Sequence, residues 1–337
     1  MASTFVPAFL LHRSHCTPST RCSAASSTYR LPMSRTVRIA VVGDVHDDWD
    51  LRDDSKALQF LQPDLVLFTG DFGNENVDLV RSIAELKFLK AAILGNHDSW
   101  KTQQLSTKRK DGVQQQLECF GDEHVGYSRL DFPTLKLSVV GGRPFSCGGD
   151  CLFRKLILSA RYGVLNMDES ANKIYQSAAA APEEHLIILL AHNGPSGLGS
   201  SASDICGRDW VAGGGDHGDP DLAKAIARIK EDAKLSIPLV VFGHMHKQLA
   251  HRQGLRKMIV HYDNTIYLNG AIVPRSQKLP GESETDQATK RAFTVVDIVD
   301  GTVDAISETW VSVSGDSCML QDQQVLFQRS PSFCPSM

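Results

Sequence analysis

From residue 37 onward the chain alternates two patterns. Residues 37–42 form a continuous apolar run ending in Gly43-Asp44, and 55–61 place apolar residues at helical spacing until Pro63. The strand pattern returns over 64–69. Residues 75–88 follow as a helical stripe of Val77, Leu79, Val80, Ile83, Ala84 and Leu86, and 91–94 as a third strand. Apolar strands alternating with amphipathic helices predict a parallel sheet covered on both faces, with ligands gathered at the carboxyl ends of its strands.

Beyond this the pattern loosens. Residues 99–119 are polar, with Lys101, Lys108, Arg109 and Lys110, and predict a helix with an exposed loop. Residues 127–132 and 135–140 read as paired strands around Pro133, 152–175 as two helices closed by the alanines up to Pro182, and 185–190 as a strand running into His192. Residues 194–221 are rich in Gly, Ser and Asp, a length of loop that in compact domains tends to serve function. Asp221 is expected to cap a helix through Lys230, followed by a strand at 238–242. Strands at 258–261 and 265–268, then 293–299 and 302–309 around the Asp300-Gly301 turn, make the carboxyl-terminal part antiparallel. The expected fold class is α/β, α+β by some schemes: two sheets packed face to face with helices outside. Residues 312–337, polar and rich in Gln, Ser and Pro, are expected to be a loose tail.

Composition narrows the class. With 337 residues and 42% hydrophobic content the chain can bury a large core, and a net charge of -4 without a basic cluster argues against a dedicated nucleic-acid binder. No apolar run approaches the about 18 to 20 residues a bilayer span needs. The first acidic residue is Asp44, and Ser, Thr and Arg abound before it, so residues 1–35 read as an organellar transit segment, chloroplast before mitochondrion. The eight cysteines show no zinc-knuckle spacing, though Cys147 and Cys151 flank Gly148-Gly149-Asp150 and can approach each other.

The strand ends carry the chemistry. Asp44-Val45-His46, Gly70-Asp71, Gly95-Asn96-His97-Asp98, His192 and His244-Met245-His246 bring Asp, His and Asn side chains to one edge of the fold, in the donor set of divalent metals. Two ions about 3.5 to 4 Å apart need one bridging carboxylate, and Asp71 is the best candidate. Asp44 and His46 can turn toward one ion, His244 and His246 approach from the far side, and the neutral oxygen of Asn96 limits negative charge beside an anionic substrate. Asp98 reads as a supporting residue. Asp47, Asp48, Asp50, Asp53 and Asp54 read as a solvated acidic loop with Asp54 or Ser55 as helix cap, and His217 and His261 have no assignment.

In this order the motifs resemble those of the calcineurin-like metallophosphoesterase superfamily over residues 37 to 311, especially a branch found in plants and cyanobacteria. The resemblance implies a four-layer double β-sandwich flanked by helices and a catalytic domain at 36–311. It implies two divalent ions, Mn, Fe or Zn: one held by Asp44, His46, Asp71 and His246, the other by Asp71, Asn96, His192 and His244. It further implies that a metal-bridging hydroxide attacks phosphorus while His97 protonates the leaving oxygen of a small phosphomonoester or phosphodiester. Departures bear on substrate. Protein serine/threonine phosphatases carry Asp-Arg-Gly shortly after the second Asp and Asn-His-Glu later, where this chain has Asn74-Glu75-Asn76 and Asn96-His97-Asp98. Asn74 then takes the place of the acid that orients the histidine, Phe72 supplies no tyrosine ligand, and a phosphate-gripping arginine falls to Arg143 or Arg208. A protein phosphatase or nuclease is the alternative enzyme, and a non-catalytic scaffold on this fold the alternative of another class.

Overall fold

The computed structural model describes residues 35–250, 254–279 and 288–330. The chain begins with β1 (Thr36–Val42), α1 (Leu51–Leu61), β2 (Leu65–Phe68), α2 (Val77–Ala84), β3 (Lys90–Ala92) and α3 (Gly112–Phe120). A middle section follows with β4 (Arg129–Phe132), β5 (Leu137–Gly141), the short α4 (Lys155–Ile157), α5 (Met167–Ala179), β6 (Leu186–Leu190), α6 (Pro220–Glu231) and β7 (Leu239–Phe242). The last elements are strands: β8 (Ile259–Tyr262), β9 (Thr265–Asn269), β10 (Ser276–Lys278), β11 (Thr289–Val299), β12 (Thr302–Ser314) and β13 (Ser317–Gln328).

They build two sheets. One runs β13-β12-β11-β1-β2-β3 with β10 beside β11, the other β4-β5-β6-β7-β9-β8. β1, β2 and β3 are parallel, as are β5, β6, β7 and β9; helices make the crossovers except between β7 and β9, which a loop and β8 connect. Strand alternation sorts the core. Val37, Ile39, Val41, Leu65 and Leu67 of the first sheet share one apolar cluster with Ile188, Leu190, Val241 and Leu268 of the second. Their neighbours Ala40, Val42, Val66 and Phe68 pack in the cluster that takes in the helices, through Leu58, Ile83 and Leu117 among others. Both faces of each central strand are thus buried, as the unbroken apolar runs require. The mixed α/β architecture of two sheets flanked by helices is the one expected.

Several local expectations change. α1 begins at Leu51, and its cap is Asp50, whose side chain accepts from Asp53 N at 2.9 Å, rather than Asp54 or Ser55. Of the acids near it, Asp54 is fully buried between Arg275 (2.6 Å) and Arg291 (3.3 Å), and Asp48 receives Ser276 N at 2.9 Å. The acidic run is therefore largely an ion-paired seam against strands β10 and β11. α6 starts at Pro220 after Asp219, because proline suits the first helical position, which leaves Asp221 inside the helix. In 99–119 the α-helix is confined to the stretch from Gly112, running to Phe120 and opened by a reciprocal cap between Asp111 and Gln114. The expected loose tail from 312 is also corrected. β12 continues to Ser314, and Ser317–Gln328 pairs along its length as an edge strand. An edge strand held by the backbone ladder with one face in water needs no apolar alternation, so its Gln-rich sequence hid it. Residues 331–337 and the expected transit segment up to residue 34 lie outside the described residues. No described helix is long and apolar enough to cross a membrane.

Candidate metal centre

The carboxyl ends of β1, β2 and β3 meet those of β6 and β7, and the turns that follow carry the polar motifs. Close approach there demands glycine. A Cβ on Gly95 would stand 2.3 Å from Asp71 Oδ1, and one on Gly243 would stand 2.1 Å from Asp44 Oδ1. Asp44, His46, Asp71 and His244 all take positive φ, between 45° and 66°, a cost that side chains bear at functional turns.

Among the described residues three groups of donor atoms converge, each within 4.8 Å: Asp44, His46 and His246; His46, Asp71 and His97; Asp71, His192 and His244. Asp71 divides its carboxylate, with Oδ2 3.9 Å from His46 Nε2 and Oδ1 3.4 Å from His192 Nε2. His46 Nε2 lies 3.0 Å from His246 Nε2, and Asn96 Oδ1 2.9 Å from His192 Nε2. Asp44 Oδ2 is enclosed, makes no hydrogen bond and has His246 Nε2 at 3.4 Å, an anionic oxygen that an ion between them would satisfy. Carboxylate, imidazole and amide donors without thiolate fit two divalent ions.

Electrostatics follow from burial and neighbours. Burial alone would push Asp71 up, but His192 beside it holds it well below the usual carboxylate range. Burial opposes charge on His192 as well, and the Asp71 and Asp44 carboxylates override it, raising His192 to about 10. His244 goes the other way, to about 3, through burial and the neighbouring His192 charge. Asp98 is buried beside Asp71, and both effects lift it well above its ordinary value. Its oxygens accept from Asp71 N (2.9 Å), Phe72 N (2.9 Å) and Gly95 N (2.7 Å), so it ties two of the motif turns together.

The calcineurin-like phosphoesterase family profile matches residues 37–248. The chain belongs to this family. As a member it is a metal-dependent hydrolase of phosphoric esters. Similar solved structures include a dimetal phosphatase from Danio rerio (8% identity, TM-score 0.41, covering 87% of this chain and 99% of that one). PhoD is another (9%, 0.45, 88% and 72%), as is a conserved uncharacterised protein of Streptococcus pneumoniae TIGR4 (11%, 0.32, 88% and 99%). No curated protein matches the chain.

Within this phosphoesterase, every expected ligand, Asp44, His46, Asp71, Asn96, His192, His244 and His246, lies at the convergence, and His97 stands beside it with ring centroids 5.0 Å from His46. His97 Nδ1 is 2.7 Å from Asn74 Oδ1. Arg143 does not reach the centre. It is 1% exposed and committed to Asp219 at 2.8 Å and Asp221 at 3.0 Å, so it is no phosphate grip. His261 also stays apart, its ring against Phe327.

Other contributors carry no signature in the sequence. Trp100, 53% exposed, stacks on His97 at 4.8 Å and 10°. Glu75 fixes that segment by accepting from Lys101 N (2.8 Å) and Thr102 N (2.9 Å). The carbonyl of Thr69 lies 2.7 Å from His192 Nδ1, and His217 stacks on His244 at 6.2 Å. Only the polar run after Asp71 hinted at any of these, since a carbonyl or a stacked ring leaves no pattern in spacing.

Proposed function

We propose that the chain hydrolyses a small phosphomonoester or phosphodiester, with one divalent ion held by Asp44, His46, Asp71 and His246 and a second by Asp71, Asn96, His192 and His244. The observation that carries this reading is the split carboxylate of Asp71, one oxygen toward His46 and the other toward His192. Manganese, iron and zinc all suit these donors. When bound, two such ions supply Lewis acidity toward the phosphoryl oxygens and acidify the attacking water.

The chain's own groups do the rest. Asn96 adds a donor without adding charge, which keeps the centre receptive to an anionic ester. With Nδ1–H donating to Asn74 Oδ1 and Trp100 backing the ring, the imidazolium form of His97 gives its Nε2 proton to the leaving oxygen and is left as the neutral ring. No side chain is needed as nucleophile.

The test separates proton donation from ion binding. His97→Ala is expected to slow alkyl phosphate hydrolysis by about 100-fold and p-nitrophenyl phosphate far less, with metal content unchanged. Equal slowing of both esters would remove the proton-donor role. A full set of ligands speaks against a scaffold, and burial of Arg143 in ion pairs weighs against the protein phosphatase alternative. The acid-free composition up to Gly43 supports a chloroplast address, which an import assay with isolated chloroplasts would test.

A further inference from the structure

The Gly-rich stretch after His192 folds back on itself as a narrow hairpin arm. Gly207 bridges Asp216 in antiparallel fashion, Arg208 N donates to Gly215 O at 2.9 Å, and His217 N donates to Cys206 O at 2.9 Å. The root is pinned by one residue: Arg256 donates from Nη1 to the carbonyls of Ala202, Asp204 and Gly207, and from Nε to His246 O at 3.0 Å. On the other side Asn193 Nδ2 (2.8 Å) and Gly149 N (3.1 Å) both donate to His217 O. The arm is therefore fixed against the metal centre through His246 and through His217, whose ring faces His244.

Charges on this segment are nearly all spent. Asp204 pairs with Lys257, Asp209 with Arg256, and Asp219 and Asp221 with Arg143, while Asp216 accepts from Gly218 N at 3.0 Å. Arg208 differs. Its side chain is half-buried, its Nε is enclosed without an acceptor, and it has no ion-pair partner among the described residues. Room is kept for it by Gly215, at φ +110°, where a Cβ would stand 2.6 Å from Nη2. The Nε is enclosed without an acceptor while the Nη atoms are open, and the loop's five carboxylates leave this guanidinium without an ion pair. Its open Nη donors are the ones an anion brought from outside can engage.

Position decides which anion. Arg208 stands next to Gly215 and acts on His217, whose ring faces His244, so it flanks the centre without being one of its ligands. Trp210, 47% exposed, lies edge-on to the same His217 at 5.0 Å. We propose that Arg208 binds a second anionic group, phosphate or carboxylate, on the ester that the centre hydrolyses, so that preferred substrates are bisphosphates or phosphorylated acids. This rests on the phosphoesterase reading above.

The test uses the full chain loaded with Mn²⁺ and three matched esters: butyl phosphate, butane-1,4-diyl bisphosphate and 4-(phosphonooxy)butanoate. The wild type is expected to prefer one or both two-anion esters by about tenfold in kcat/KM, and the two arms tell phosphate from carboxylate. Arg208→Gln should collapse that preference chiefly through KM, and Arg208→Lys should restore part of it. Independently of turnover, calorimetric titration with butane-1,4-diyl bis(phosphonate) should bind about tenfold more weakly to Arg208→Gln than to wild type. An unchanged preference ratio together with unchanged bis(phosphonate) affinity would overturn the proposal. A wild type that hydrolyses none of the esters would overturn the phosphoesterase reading, while the bis(phosphonate) titration would still decide the role of Arg208.

Discussion

The two halves of the metal centre are built differently. In the inner half His192 is fully buried, and its Nδ1 lies against the Thr69 carbonyl, so the backbone sets the direction of Nε2. In the outer half the His46 and His246 side chains keep 24% and 40% exposure, and the two rings meet each other through Nε2. A ligand oriented by buried backbone is preorganised, whereas one oriented by a neighbouring ligand waits for its ion. The inner half thus suits a tightly held ion, and the outer half, beside His97, suits an exchangeable ion next to the ester.

Breaking the shared element should have the largest effect. Asp71→Asn is expected to cost about 1,000-fold or more in rate and to lose both ions by metal analysis; retention of two equivalents would show that the halves are independent. Next comes the asymmetry itself. His192→Ala should weaken binding of the inner ion by about 100-fold and His46→Ala the outer by about tenfold in chelator competition, and equal losses would break the comparison. Acidity sharpens it further. In the metal-free protein the paired His192, raised to about 10, adds stability that is present in full below its unfolded value of 6.5 and lost as pH rises through about 10. An ion must displace that proton, so its apparent affinity should climb between pH 6 and 9 by up to about tenfold per unit, a slope that flattens in His192→Asn. The smallest effect should come from the support beneath both halves. Asp98→Asn keeps the shape but replaces one acceptor oxygen by a donor facing backbone N–H groups, and should lower stability by about 1 to 3 kcal/mol in thermal unfolding.

Much of this centre was legible because strand-end chemistry obeys order and spacing. Asp44-x-His46, Asp71, Asn96-His97, His192 and His244-x-His246 follow apolar runs, and a parallel sheet sends such residues to one edge. Asp98 as a support and Asn74 beside His97 were likewise readable from motif position. What escaped depends on contacts between distant segments. Nothing in the run Asp47 to Asp54 announces that Arg275 and Arg291, more than 200 residues later, will bury Asp54. Arg143 looked available because its glycine-proline surroundings suggest an open turn, and only packing against α6 shows that Asp219 and Asp221 claim it. β13 escaped because an edge strand answers to its neighbour's backbone more than to its own hydropathy.

The Asp54 seam bears on how the gene for such a protein can be cut and joined. The family pattern ends at residue 248, yet β11 lies between β12 and β1 in the middle of its sheet and supplies Arg291, while Arg275 approaches from the turn just before β10. A fragment ending where the pattern ends would leave a buried carboxylate without its counter-ions and β1 with an open edge. The recognisable part of the sequence is therefore not a self-sufficient folding unit. Ancestral fusions, truncations and splice variants that stop near residue 250 should yield insoluble chains, however intact their ligands.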